Sequence, residues 1–151
     1  KAVAPSLQNV YVPAQGRRFH AYLQFGKGAG PGEVRDALTA AIAYRRLKLA
    51  IAVDEDIDIF DDSEMFFALA TRVQWSRDSF TIDGLSGSLL DPSTPMGAKT
   101  LSKMAIDATL PLPPSPGAPS PVPPRSSVPE AARAAAEKLL DGAIDDGWPT
   151  L

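Results

Sequence analysis

Asp54, Asp56 and Asp58 recur at every second position inside a run of acids that extends to Asp62. Carboxylates in that rhythm belong to calcium loops, which need Gly at the sixth position and Glu at the twelfth. Counted from Asp54, those positions hold Ile59 and Met65, so an EF-hand is excluded. Alternating acids along an extended segment would still offer a hard cation one face. The other readings are a cap for the following helix with salt bridges to nearby Arg and Lys, or a surface that meets a partner.

Gly26, Gly28, Gly30 and Gly32 form a second constellation, placed between a strand pattern and a helix pattern where a phosphate cradle would sit. The dinucleotide fingerprint needs a further Gly, but Pro31 or Glu33 stands there, and no Walker A spacing exists. A strand-to-helix hinge is the simpler reading. His20, the one histidine, falls on the polar side of a strand beside Arg17 and Arg18. A lone imidazole is more often structural than catalytic. Trp75 between Arg72 and Arg77 would make a cation–π cluster or pack a helix end. Ser86 and Ser88 lie in a Gly-rich loop without the G-x-S-x-G frame of a nucleophile elbow. No base, nucleophile and oxyanion site assemble within this chain, so it reads as part of an enzyme or as an interaction module.

The elements that would position these residues follow from periodicity. Val10–Val12 and Phe19–Phe25 read as strands, the second alternating Phe19, Ala21, Leu23 and Phe25 with His20, Tyr22 and Gln24. Val34, Ala37, Leu38, Ala41 and Ile42 recur at helical spacing behind Pro31. Leu49–Val53 is a short apolar run suited to a strand covered on both faces. Asp61 with Glu64 resembles a capping box opening a helix that carries Met65, Phe66, Leu69 and Val73. Phe80–Ile82 and Met104–Ala108 are weaker strand patterns, joined by a loop from Gly84 to Thr100. The expected fold is α/β: a mixed β-sheet with packed helices over residues 1–109, a Pro-rich extended segment over 110–128, and a docking helix with its tail over 129–151. Nine of the fifteen prolines fall between Pro111 and Pro129, which favours a polyproline-type spacer; a PxxP ligand is the alternative. The last helix has a narrow stripe of Leu139, Leu140 and Ile144, suited to docking on another surface.

Composition limits the functions. The chain has 151 residues, 44% of them hydrophobic and 22% charged, and a mean hydropathy of −0.07, the balance of a globular domain. No apolar run is long enough to cross a membrane. A net charge of −3 has the wrong sign for general affinity to nucleic acid or anionic membranes. Zero Cys removes disulfides, thiolate metal sites and Cys nucleophiles, and fits a cytoplasmic location.

Four blocks taken together resemble the carboxy-terminal domain of the UbiD family of reversible (de)carboxylases. They are RFHAYLQFGKGAGPGEVRDALTAAIA over 18–43, AVDEDIDIFDDSEMFFALATR over 52–72, GSLLDP over 87–92 and KMAIDAT over 103–109. The resemblance implies decarboxylation or carboxylation of an aromatic or α,β-unsaturated acid with prenylated FMN and a metal ion. In the family those groups and the catalytic residues lie in a larger preceding domain, so no catalytic, cofactor or metal residue is assigned here. What carries over is a G-x-x-L-D-P loop that approaches substrate: Gly87, Ser88, Leu89, Leu90, Asp91 and Pro92, with Ser88 and Leu90 facing the pocket. The family often has Arg before that Gly, where this chain has Ser86. The implied partner is a large catalytic subunit or domain, in a hetero- or homo-oligomer, with this chain inactive alone. The rival expectation is a non-catalytic assembly module that recruits a partner through the Pro-rich segment and terminal helix.

Overall fold

The computed structural model describes residues 4–110 and 128–145. A five-stranded sheet runs in the order β1-β2-β3-β5-β4. Its strands are β1 (Leu7–Tyr11), β2 (His20–Phe25), β3 (Leu49–Asp54), β4 (Ser79–Ser86) and β5 (Thr100–Asp107). The central β2, β3 and β5 are parallel, and β1 and β4 flank them antiparallel. Helix α1 (Pro31–Ala43) crosses from β2 to β3; α2 (Asp62–Arg72) and the single turn α3 (Trp75–Asp78) lead from β3 to β4. The expected mixed α/β sheet is therefore present, and a terminal helix, α4, spans Glu130–Asp145. The Pro-rich segment from 111 to 127 lies outside the described residues.

Strand β3 shows why the sheet is covered on both sides. Ala50 and Ala52 join Ala21, Leu23, Phe25 and Ala105 under Val34, Leu38 and Ile42 of α1. Ile51 and Val53 face the other way, with Ile106, Ile57, Ile59 and Met65. Alanines line the α1 side, which lets that helix approach the strands closely, while branched side chains fill the wider space under the acidic turn and α2.

Several elements differ from the sequence expectation. The first strand ends at Tyr11, and β4 runs on to Ser86 because a bulge between Ile82 and Leu85, with Gly84 at φ +76°, lets the ladder resume. The loop expected from Gly84 to Thr100 shrinks accordingly to residues 87–99. Helix α2 buries Met65, Ala68 and Arg72, and leaves Phe66 exposed instead of on the buried stripe. Of the two readings for Trp75, a cation–π cluster with Arg72 and Arg77 is not the one the fold adopts. Trp75 is exposed, Arg72 turns to Asp54 and Asp56, Arg77 pairs with Asp78, and the cation–π contact among the described residues is Arg35 at 4.1 Å over Phe80.

Candidate functional site

The register of the parallel strands gives the sheet two distinct ends. His20 lies opposite Leu49, and Leu49 opposite Met104; Ser86 on β4 lies opposite Thr100. The starts of β2, β3 and β5 are therefore gathered at one end, with the loop 87–99, the α1–β3 turn and the β1–β2 connection. At the opposite end lie the acidic run and Asp107.

The loop is anchored from inside. Gly87 sits so close to Leu101 that a Cβ there would come within 2.7 Å of its side chain, so a larger residue would have to displace Leu101. Ser88 is 5% exposed, and its Oγ accepts the Leu90 N–H at 3.3 Å. Asp91 is 4% exposed. One of its oxygens takes the Lys48 ammonium at 2.9 Å; the other accepts the Ser93 N–H at 3.0 Å and the Ser93 hydroxyl at 2.9 Å. Burial alone would raise the Asp91 carboxyl, but Lys48 and Ser93 outweigh it and hold the group below the ordinary carboxylate value. Lys48 Nζ also donates to Ser93 Oγ at 2.6 Å, closing a three-residue clasp. The clasp turns Leu89 and Leu90 outward, at 87% and 73% exposure.

Beside the loop is an open cleft of about 320 Å³, bordered by Arg45, Ser86, Ser88, Leu89, Thr94 and Lys99 among others. Of the loop residues singled out from the sequence, Gly87, Ser88 and Leu89 border this cleft. Leu90 projects elsewhere on the surface, Asp91 is interior, and Pro92 is exposed. Arg45, Thr94, Lys99 and the Lys48 anchor were missed in the sequence. Isolated basic residues in turns carry no spacing signal, and only the fold brings them to one end.

His20 belongs to this end too. Its ring packs over Gly16, and partial burial, reinforced by Lys48, lowers the imidazole below its ordinary value. Nothing in the described geometry gives it a nucleophile to activate.

The acidic run at the other end is structural. Strand β3 stops at Asp54 and the chain turns at once, the Ile57 N–H reaching the Asp54 carbonyl at 3.1 Å, so the three alternating acids do not line one extended face. Arg72, buried on α2, pairs with Asp56 through two bonds of 3.1 and 2.5 Å and with Asp54 at 3.5 Å. Asp58 accepts the Phe60 N–H, and Asp61 caps α2 by accepting the Ser63 N–H. Burial raises Asp54 and Asp107, against the opposing bonds from Leu110 and Thr109. A smaller cleft of about 250 Å³ lies near Arg35, Arg77, Asp78 and Asp107, where both arginines are already engaged. Between β2 and α1, Gly28 at φ +88° makes the turn, Gly30 caps the helix, and Glu33 in its first turn accepts the Ser6 N–H and hydroxyl.

A flavin with its metal does not fit the described residues. The two clefts described, of about 250 and 320 Å³, lie close to the lower bound, about 300 Å³, of cavities that enclose a drug-sized ligand. Among the described residues no three His, Asp or Glu side chains converge on a point that would hold a metal ion. No described helix is long and apolar enough to cross a membrane.

Comparison with known proteins identifies the family. Residues 1–108 match the family model UbiD_C, the 3-octaprenyl-4-hydroxybenzoate carboxy-lyase C-terminal domain. The chain is 39% identical over 110 residues, 72% of its own length, to the anhydromevalonate phosphate decarboxylase of Methanocaldococcus jannaschii. It is 35% identical over 124 residues, 74% of its length, to the gallate decarboxylase of Lactiplantibacillus plantarum. It spans about a quarter of each of those proteins, 26% and 25%. Its fold is similar to that of the UbiD-class enzyme HmfF from Pelotomaculum thermopropionicum in complex with FMN, with a TM-score of 0.72 and 32% identity. That match covers 87% of this chain and 28% of that one.

Proposed function

The chain belongs to the UbiD family as its carboxy-terminal domain, and from that premise we propose that it is a small subunit or terminal domain closing the active site of a prenylated-FMN carboxy-lyase. Its substrate class is an aromatic or α,β-unsaturated carboxylic acid, and its partner is a larger catalytic subunit or domain, in an oligomer in the cytoplasm. One observation carries the reading: the loop 87–92 is braced from within, while Leu89 and Leu90 stand almost bare. Braced backbone with exposed apolar tips suits a surface completed by another chain or domain, where it excludes water from the substrate.

The division of labour follows from the donor set. The cofactor supplies the electron sink for decarboxylation, and flavin, metal and proton-transfer groups reside in the partner. This chain shapes the substrate end of the cavity through the loop of Gly87, Ser88, Leu89, Leu90 and Pro92, which Asp91 braces from within. Residues 1–109 form the lid, 110–128 are a spacer, and the helix from 129 reaches a neighbouring subunit with Leu139 and Leu140, both exposed on α4.

The test is to purify the 151-residue chain alone and co-expressed with a flavin-bearing UbiD-type chain, and to assay carbon dioxide release from aromatic acids. Turnover by the complex and none by the chain alone is expected. Robust turnover by the chain alone overturns the reading.

A further inference from the structure

The starts of the parallel strands form a basic end on an acidic protein. Arg17 and Arg18 sit in the β1–β2 connection, Arg45 and Arg46 in the α1–β3 turn, and Lys99 next to β5, all of them exposed. Lys48 shares this end, and the Asp91 carboxylate beside it is turned inward and spent on Lys48 and Ser93. The cleft of about 320 Å³ opens here, with Arg45 and Lys99 on its border and no acidic residue lining it among the described residues. Among the described residues neither Arg45 nor Lys99 pairs with a carboxylate. Hydroxyl groups of Ser86, Ser88 and Thr94 share the border, and the Thr94 hydroxyl has no hydrogen-bond partner among the described residues.

The geometry points to an oxyanion site in this cleft: Arg45 and Lys99 bind a phosphate or carboxylate group, with Ser86 or Ser88 donating a hydroxyl. The opposite cleft is the internal control, since its two arginines are committed to Phe80 and Asp78 and two aspartates border it. Two unneutralised cations facing one concavity raise the local concentration of anions, and an Arg fork matches two oxygens of one group. The anion comes either from the substrate, as a substituent remote from the reacting carboxylate, or from free phosphate. The substrate case rests on the lid reading above; the binding site itself does not.

The probe is inorganic phosphate, titrated at constant ionic strength against the isotopically labelled 151-residue chain, with amide shifts followed by NMR. Saturable shifts confined to residues 86–89, 94–99 and 45–46 are expected, weakened roughly tenfold in Arg45→Ala/Lys99→Ala and unchanged in Arg35→Ala. Both cations are exposed, so a folded variant is expected, and an unchanged spectrum elsewhere verifies it. No saturable shift, or equal affinity in the double variant, overturns the site. The source is decided in the assembled enzyme. A raised KM of the double variant for a phosphorylated acid, with KM unchanged for the same acid without the phosphate, assigns the site to substrate. Lost phosphate binding with KM unchanged for both assigns it to the free ion. No turnover by the assembled wild-type enzyme, with saturable phosphate binding to the wild-type chain, would count against the lid reading and leave this site standing.

Discussion

Both ends of the parallel strands carry a buried ionic clasp, and the clasps serve different purposes. At the acidic end, buried Arg72 gathers Asp54 and Asp56 and so holds a tight turn between β3 and α2, while Asp58, Asp61 and Asp107 accept backbone N–H groups and Glu55 pairs with Lys27. At the basic end, Lys48 holds Asp91, and the consequence is an outward-facing loop with bare leucines, beside Arg45 and Lys99, which pair with no carboxylate among the described residues. The acidic end uses its charge up in folding. The basic end spends one carboxylate and keeps the rest of its chemistry available. A conspicuous charge run is thus a poor guide to function when its partner is a single arginine sixteen residues further along the chain.

Removing Arg72 is the strongest way to break this contrast. Arg72→Ala leaves two carboxylates facing each other beside the core, and about 2–4 kcal/mol of stability is expected to go, less than for a fully enclosed pair because Asp56 is half exposed. Urea unfolding measures it, and the contrast predicts that phosphate affinity of the still-folded fraction does not change.

Lys103 tests how the basic end is supported. Fully buried on β5, it donates to the carbonyls of Ile42 at 3.0 Å and Tyr44 at 2.9 Å, so it holds the end of α1 and the turn carrying Arg45. Lys103→Met is expected to cost roughly 1–3 kcal/mol by leaving carbonyls unpaired. Thermal unfolding gives the cost, and the Arg45 amide shift should move with it.

Asp91→Asn sharpens the comparison through pH. The native carboxyl lies below its ordinary value of 3.8, so its contribution is complete above that pH and is lost as pH falls through the lowered native value. The variant should be less stable by about 1–2 kcal/mol near neutrality, and the gap should close only below pH 3.8. Unfolding curves for both proteins at several pH values give the gap. Asp54 and Asp107, raised by burial, have the opposite sign: they cost stability at neutral pH and return it as acid protonates them.

The smallest effect belongs to His20. Its lowered value means the unfolded chain takes a proton first, so a penalty appears as pH falls below 6.5 toward the native value. Melting temperatures of the wild type and His20→Gln, compared at pH values on either side of 6.5, should diverge only on the acid side.

The order and type of the main elements were legible because the strongest patterns are covered on both sides. Leu49–Val53 is buried on both faces, as its unbroken apolar run implies, and the helix from Pro31 presents Val34, Ala37, Leu38 and Ile42 inward. Phe66 misled because a phenylalanine at helical spacing looks interior, whereas Arg72 takes the covered stripe of α2 to reach two aspartates. The reach of β4 was hidden by Gly84, which reads as a loop and is a bulge. The loop 87–92 was found through resemblance alone, since no residue in it has a spacing that signals chemistry. Arg45 and Lys99, fifty-four positions apart, had no signal until the strand register placed them at one end.

The lid assignment stands or falls on Leu90→Trp in the complex with a flavin-bearing UbiD-type chain. Native mass spectrometry checks assembly and carbon dioxide release measures turnover. Leu90 is exposed in this chain, so the substitution leaves its folding intact. Assembly unchanged with kcat/KM reduced at least about tenfold is the predicted result; assembly and kcat/KM both equal to wild type would contradict it.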